Sequence, residues 1–425
     1  MEIKEIYNLY KQFYKVTTDT RADLTNSVFF ALKGDSFNGN KYAAEALGKG
    51  ANFAIIDEKE YQTDKRMILV KDVLSTLQEL AKYHRQQLNI PVIALTGSNG
   101  KTTTKELVHT VLSQKFNCHA TEGNLNNHIG VPLTLLSMRP DTEIAVVEMG
   151  ANHPQEIDAL CKIALPDYGY ITNFGKVHLE GFGSLKGVVE AKTELYRHLD
   201  LNDKTVFVNA NDEVQMKRSQ KMNRITFATK KSDYPIDFIS ADPFVNLKFD
   251  ELLVESKLIG KYNYLNMATA VAIGKYFKVS DEKIKEAIEN YVPSNNRSQI
   301  IIKGSNKIIL DAYNANPNSM KVALENLSQL TDKNKMAILG DMFEIGKNSF
   351  DEHANIVEMA QNIQLDNLIF IGNNFSEIQT TSLKTMQFNN FDDFENGFDL
   401  RKINNTTILI KASRGMALER ILDLW

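Results

Sequence analysis

The chain has 425 residues, which at roughly 150 residues per domain predicts about three domains, each long enough to bury its own core. Hydrophobic residues make up 43% and charged residues 24%, the balance of an ordinary globular protein and not of a disordered or collagen-like chain. The 49 Lys+Arg against 53 Asp+Glu leave a net charge of -4, so no attraction to nucleic acid is expected and any anionic ligand must be held by local features.

Cys118 and Cys161 are too few for a disulfide framework and form no CxxC pair, which suits a reducing compartment and gives no sign of metal ligation. The opening MEIKEIYNLYKQF reads as an amphipathic helix and lacks the apolar stretch of a signal peptide. No run approaches the ~20 apolar residues that cross a bilayer, so a cytoplasmic chain without membrane insertion is expected. A short strand over 27–32, the turn-rich GDSFNGN, a helical AAEALGKGA and a strand over 53–56 follow. A long helix over about 73–88 closes the first segment, residues 1–88.

Pro91 opens PVIALTG, a β-branched apolar run that reads as a buried strand feeding a glycine turn, and so begins a second segment, 89–296. A helix over about 102–114 is followed by the strand IAVVEMG, the helix EIDALCKIA, the strand YGYITNF and one amphipathic helix, GVVEAKTELYRHL. Such alternation predicts parallel βαβ units. The polar run PSNNRSQ around Asn295 marks the next boundary, and KIILDAY, KMAILGDM, NLIFIG and TTILIKAS supply four strands of a third segment, 297–425. The expected fold class is α/β in three domains: a small α/β N-terminal domain, a central phosphate-loop domain on a parallel sheet and a Rossmann-like C-terminal domain. Ligands of open parallel sheets bind beyond the carboxyl ends of the strands, where the polar motifs of this chain fall.

The first of these is Thr96-Gly97-Ser98-Asn99-Gly100-Lys101-Thr102-Thr103, set between strand and helix. Two glycines let backbone amides turn inward around an anion, the helix N-terminus adds partial positive charge, Lys101 reaches terminal phosphates, and Thr102 offers a hydroxyl to Mg²⁺. Leu95 stands where the general phosphate loop has its first glycine, so this is the shorter GxxGKTT form. ATP cleavage also needs metal ligands at neighbouring strand ends, and Glu148 and His178 fall there. Taken alone, Glu148 reads equally as a solvated strand-end acid and His178 as a loop histidine capping its own backbone. Lys192, in EAKTEL, reads by itself as a solvated helix lysine, and His84, His109 and His198 as surface or packing residues in helices.

TGSNGKTT, GNLNNHIGVP, VVEMG, NFGKVHLEGFG, EAKTEL, NYLN, DAYNANP, LGDMFEIG and KASRG, in this order, resemble the Mur ligases of peptidoglycan synthesis, and the resemblance spans all three segments. It implies an ATP-dependent ligase that phosphorylates a peptide carboxylate and lets an amine attack the acyl phosphate. DAYNANPNSM and LGDMFEIG are similar to the member that adds D-alanyl-D-alanine to UDP-N-acetylmuramoyl-tripeptide, and the DNPR motif of the member that adds the third amino acid is absent. Carried over by resemblance, Gly97, Ser98, Asn99, Gly100, Lys101, Thr102 and Thr103 hold ATP phosphates, while Thr102, Glu148, His178 and Lys192 form a site for two Mg²⁺, with Lys192 carbamylated. Asn263 and Asn266 match the asparagines that read adenine, although Tyr262 replaces the usual histidine. Arg297 matches a hinge arginine, and Asp311 with Asn314 the last domain's share of ATP, Leu310 replacing a second acid. Lys411, Ser413 and Arg414 match a loop over the reaction centre. Lys101, Lys192, His178 and Lys411 are thus the expected catalytic group. Asp19 and Arg21 match the stretch that binds the UDP end, Asn38-Gly39-Asn40 replaces its Asp-Gly-His, and Asn124, Asn126 and Asn127 match a loop facing the sugar and pyrophosphate. A monomer is expected. Open alternatives are the ligase for the third stem residue, a folylpolyglutamate synthase, and a non-catalytic ATP-binding switch.

Overall fold

A computed structural model describes residues 1–294, 296–380 and 382–425, so Asn295, on which the second boundary was centred, lies outside the described residues. The helix Val73–Leu88 shows how local signals build the fold. Asp72 accepts the Ser75 N–H at 2.6 Å as N-cap, and the apolar positions Val73, Leu77, Leu80 and Ala81 fall on one buried face with His84. It ends where Asn89 turns left-handed at φ 47. Before it lies a four-stranded parallel sheet in the order Val16–Thr17, Val28–Phe30, Phe53–Ile56, Met67–Leu69.

After it comes a six-stranded parallel sheet ordered Asn223–Phe227, Thr205–Asn209, Tyr168–Ile171, Val92–Thr96, Ile144–Glu148, Cys118–Ala120. VIALT and IAVVE are buried at every position because helices cover both faces. The chain leaves Val92–Thr96 towards one edge and returns to its other side, so a crevice opens beyond that strand.

A second six-stranded sheet is ordered Gln299–Lys303, Asn306–Asp311, Thr407–Lys411, Lys335–Gly340, Asn367–Ile371, Thr385–Phe388. Its only antiparallel pair among the described residues is the first. All seven strands expected in the second and third segments therefore form, with trimmed ends.

One expectation is corrected. The helix read as continuous over GVVEAKTELYRHL is two, Leu185–Lys192 and Glu194–Leu201, broken where the Thr193 hydroxyl donates to Val189 O at 2.8 Å and Glu190 O at 3.1 Å. The parallel units expected up to that helix do form, and beyond them, where no element was assigned from the sequence, Ile236–Ala241, Phe244–Phe249 and Leu252–Ile259 form an antiparallel meander whose alternate residues Val245, Leu247 and Phe249 join the core under helix Asn263–Tyr276.

Candidate active site

A cavity of about 740 Å³ lies at the carboxyl ends of the central strands and reaches the last sheet. Its floor is the turn after Val92–Thr96. Gly97 at φ 141 and Gly100 at φ 80 adopt conformations that side chains resist, and a Cβ at Gly97 would strike the Thr172 hydroxyl. The loop is braced from behind: Thr172 Oγ1 donates to Asn99 O at 2.6 Å, and Ser98 N–H to Asn173 O at 3.1 Å. Helix Lys101–Leu112 starts at Gly100 with no side-chain cap, so its first N–H groups face the cavity as an anion site.

Lys101 folds back onto the loop, Nζ donating to Gly97 O at 2.8 Å and Ser98 O at 3.4 Å. Burial pushes its ammonium below the usual lysine range, with Arg297 adding to the effect and Glu148 opposing it. Thr102 is buried beside it, and Thr103 also lines the cavity. Glu148, the last residue of Ile144–Glu148, is 2% exposed; Oε1 accepts from Asn126 Nδ2 at 2.8 Å, while Oε2 is buried without a partner. An orphaned anionic oxygen in a cavity is costly unless a cation belongs there.

His178 lines the same cavity at φ 46, its Nδ1 2.5 Å from Glu344 Oε2. Burial holds its pKa down, Glu344 opposing, with Lys101 and Lys192 adding to the depression. Lys192 is no surface residue: 1% exposed, it lies behind the wall, with Nζ donating to Ala151 O at 3.2 Å and 5.1 Å from the Phe182 ring centre. Burial, helped by Lys101, lowers its pKa to about 7. Among the described residues no three His, Cys, Asp or Glu side chains converge as a metal cluster, so a cation here needs the Thr102 hydroxyl or a modified Lys192 among its ligands.

Opposite stand residues of the third segment. Asp311 and Lys411 are register partners on adjacent strands, and Lys411 Nζ donates to Asp311 Oδ2 at 2.6 Å and to Asn314 O at 3.0 Å. The Arg297 guanidinium stacks 3.6 Å from the Tyr313 ring centre, with Nε buried and unpartnered. Asn263 and Asn266 share a helix face, but their amides are engaged: Asn266 Nδ2 donates to Asn263 Oδ1 at 2.7 Å, and Asn266 Oδ1 accepts from Thr104 at 3.0 Å. Both line the cavity.

Asn124, Asn126 and Asn127 also line the cavity, Asn126 hydrogen-bonded to Glu148. The outlying residues are Ser413, whose buried hydroxyl accepts from Phe343 N–H at 2.9 Å, and Arg414, paired with Glu419 at 3.0 Å and 5.7 Å from the Tyr313 ring centre. Asp19 and Arg21 pair with each other at 2.7 Å on the first segment's surface and do not line the cavity. Sequence reasoning missed Gln78, whose Nε2 holds His128 O at 2.9 Å, and Asn316, whose Nδ2 reaches Asn99 Oδ1 at 2.8 Å from the last segment. The Asn-Pro pair that caps helix Pro317–Gln329 was the available signal for Asn316.

A phosphate loop on a parallel sheet, sharing one cavity with strand ends of a second α/β sheet, defines a multidomain nucleotide-dependent enzyme. Family models for the Mur ligase middle domain and the Mur ligase, glutamate ligase domain match residues 95–274 and 296–414. UDP-N-acetylmuramoyl-tripeptide--D-alanyl-D-alanine ligase of Bacillus subtilis (strain 168) is 35% identical over 421 residues, covering 96% of this chain and 92% of the relative. The ligase of that name from Escherichia coli (strain K12) is 32% identical over 419 residues, 96% of this chain and 92% of the relative. Among solved structures, MurF from Acinetobacter baumannii superposes with a TM-score of 0.86 at 31% identity, covering 96% of this chain and 93% of that one. MurF ligase from Thermotoga maritima in complex with ADP gives 0.84 at 27% identity, covering 96% of each. Folylpolyglutamate synthase of Mycobacterium tuberculosis, at 14% identity and a TM-score of 0.63, shares the fold alone. The chain belongs to the Mur ligase family and is a three-domain α/β ligase.

Proposed function

We propose that this ligase uses ATP to join D-alanyl-D-alanine to the terminal carboxylate of UDP-N-acetylmuramoyl-tripeptide in the cytoplasm, acting as a monomer on a soluble peptidoglycan precursor. The observation that carries the reading is the single cavity in which the phosphate loop, the orphaned Glu148 oxygen and the Asp311–Lys411 strand ends meet. Residues 1–88 take the UDP end, 89–296 the ATP phosphates and metals, and 297–425 the incoming dipeptide and the rest of the nucleotide. Asp19 and Arg21 serve the UDP end, and Asn124, Asn126 and Asn127 the sugar and pyrophosphate. Asn263, Asn266, Arg297, Asp311 and Asn314 serve ATP.

A carboxylate is a poor acyl donor because its leaving group is oxide. One of its oxygens attacks the γ-phosphorus, the bond to the bridging oxygen breaks, and ADP leaves with that electron pair. The dipeptide ammonium gives one proton to solvent and its nitrogen adds to the acyl carbon; the tetrahedral intermediate collapses as the nitrogen loses a second proton to solvent, and phosphate departs carrying the oxygen that had attacked phosphorus. The protein's task is positioning and charge neutralisation. The loop amides and Lys101 receive the phosphoryl oxygens. Lys411, aimed by Asp311, and Ser413 with Arg414 cover the reaction centre. The residues fit Mg²⁺: of those lining the cavity, Glu148 offers a free oxygen, Thr102 a hydroxyl and His178 a ring nitrogen, while Lys192, behind the wall on the Ala151 carbonyl, has a pKa of about 7 and is able to take up carbon dioxide as a carbamate. Bound there, two Mg²⁺ would supply the positive charge that neutralises the transferring phosphoryl group.

The test is phosphate release from ATP with UDP-N-acetylmuramoyl-tripeptide and each of four acceptors. Release with D-alanyl-D-alanine is expected. Release only with lysine or diaminopimelate, or only with glutamate and a folate, overturns the reading.

A further inference from the structure

His178 makes one contact that holding a ligand does not by itself require: Nδ1 lies 2.5 Å from Glu344 Oε2, a residue of the third segment. The loop that carries Glu344 is fixed from its own side. The Asp341 carboxylate accepts the Asn374 backbone and side-chain N–H groups, each at 3.0 Å, and the Phe375 N–H at 3.1 Å. Met342 N–H donates to His353 Nε2 at 3.0 Å, and Phe343 N–H to Ser413 Oγ at 2.9 Å. Glu344 at φ 61 and His178 at φ 46 both stand in the left-handed region, which side chains avoid unless their surroundings impose it. A second ion pair, Lys176 to Glu352 at 3.1 Å, joins the same two stretches.

Metal-ligating histidines generally donate their second ring N–H to a carboxylate or carbonyl, which fixes tautomer and ring orientation. We propose that Glu344 is the positioning residue of His178: its carboxylate accepts the Nδ1–H and leaves Nε2 with a free lone pair at the cavity shared with Lys101 and Glu148. The inference rests on the metal-holding role proposed for His178. Because Glu344 belongs to the third segment, the metal site is complete only when that segment is docked on the central one. Glu344 touches neither substrate nor metal and acts through the ring.

The test begins with imidazole nitrogen-15 NMR of the metal-free, nucleotide-free chain at about pH 8, above the ordinary histidine pKa, the His178 signal being the one lost in His178→Ala. The Nδ1–H tautomer is expected in the unmodified chain and in Glu344→Gln, whose amide oxygen still accepts, and the Nε2–H tautomer in Glu344→Ala. Mn²⁺ binding in the presence of ADP, read by electron paramagnetic resonance, is expected to weaken about tenfold in Glu344→Ala, less in Glu344→Gln and not in Glu352→Ala. An unchanged tautomer in Glu344→Ala overturns the proposal. So does an equal loss of Mn²⁺ in Glu352→Ala, which makes the contact a domain latch only. A tautomer shift in a chain that releases no phosphate with any acceptor overturns the ligase reading and leaves the Glu344–His178 assignment standing.

Discussion

Lys101 is hydrogen-bonded to two loop carbonyl oxygens, with Glu148 acting on it only through space, so its charge is available to an incoming phosphate at the loss of two hydrogen bonds. Replacing it with alanine removes that charge without opening the core. Lys101→Ala is expected to lower kcat by about a thousandfold with an unchanged melting temperature, and retained turnover would contradict the phosphate-loop assignment. Lys192 carries a pH signature. With a pKa of about 7, its amine is mostly the reactive free base above pH 7 and mostly ammonium below, so a carbamate is favoured as pH rises through that value. Activity should therefore depend on added bicarbonate more at about pH 6, where roughly a tenth of the amine is neutral, than at about pH 8. Lys192→Ala should lose the bicarbonate response and regain turnover with short carboxylates; a retained bicarbonate response, or no rescue by carboxylates, would contradict the carbamate. Neither behaviour was readable from EAKTEL alone, because a lysine's burial is decided by what packs over it, here Phe182 and the Ala151 carbonyl, far away in sequence.

Among the elements, the helix Val73–Leu88 shows what the sequence could and could not carry. Its ends were legible from Asp72 and the apolar spacing, and EIDALCKIA was legible in the same way, because caps and periodicity are local. The break at Thr193 and the antiparallel meander were not expected: the first depends on one hydroxyl turning back to two carbonyls, while the second had an alternating signal in FVNLKF outweighed by the surrounding βαβ pattern. His84 was read as a surface or packing residue, and it is packing: fully buried, Nε2 on Met138 O at 3.1 Å, among the rings of Tyr7, Tyr10 and Tyr14. Burial lowers its pKa from 6.5 to about 4. The folded state thus binds fewer protons than the unfolded one between these values, so stability falls as pH drops through that window, by about 3 kcal/mol in all. Thermal melts of His84→Gln should lose less between pH 7 and pH 5 than those of the unmodified chain, and parallel losses would contradict the assignment of this pH dependence to His84.

For the molecule as a whole, the net charge of -4 and the two anionic ligands of the proposed reaction, ATP and the UDP-linked tripeptide, are reconciled by placement. Lys101, Arg297 and Lys411 reach one cavity from two sheets, and Asn316 ties the last segment to the phosphate loop at Asn99. The order of motifs makes this architecture legible, since the phosphate loop, Glu148, Asp311 and Lys411 sit at strand ends and strand ends converge in open parallel sheets, whereas EAKTEL and NYLN lie on helices. The contacts between segments were not legible, because Asn316 with Asn99 and Glu344 with His178 pair residues more than a hundred positions apart that no local pattern couples. In the proposed reaction the cavity activates a carboxylate by phosphorylation. That activation is tested most directly with UDP-N-acetylmuramoyl-tripeptide carrying oxygen-18 in its terminal carboxylate, turned over with ATP and D-alanyl-D-alanine, followed by mass spectrometry of the released phosphate. One labelled oxygen per phosphate is predicted, because the oxygen that attacks phosphorus leaves with it. Unlabelled phosphate would contradict the account, since it would mean that ATP is split by water and the carboxylate is never activated.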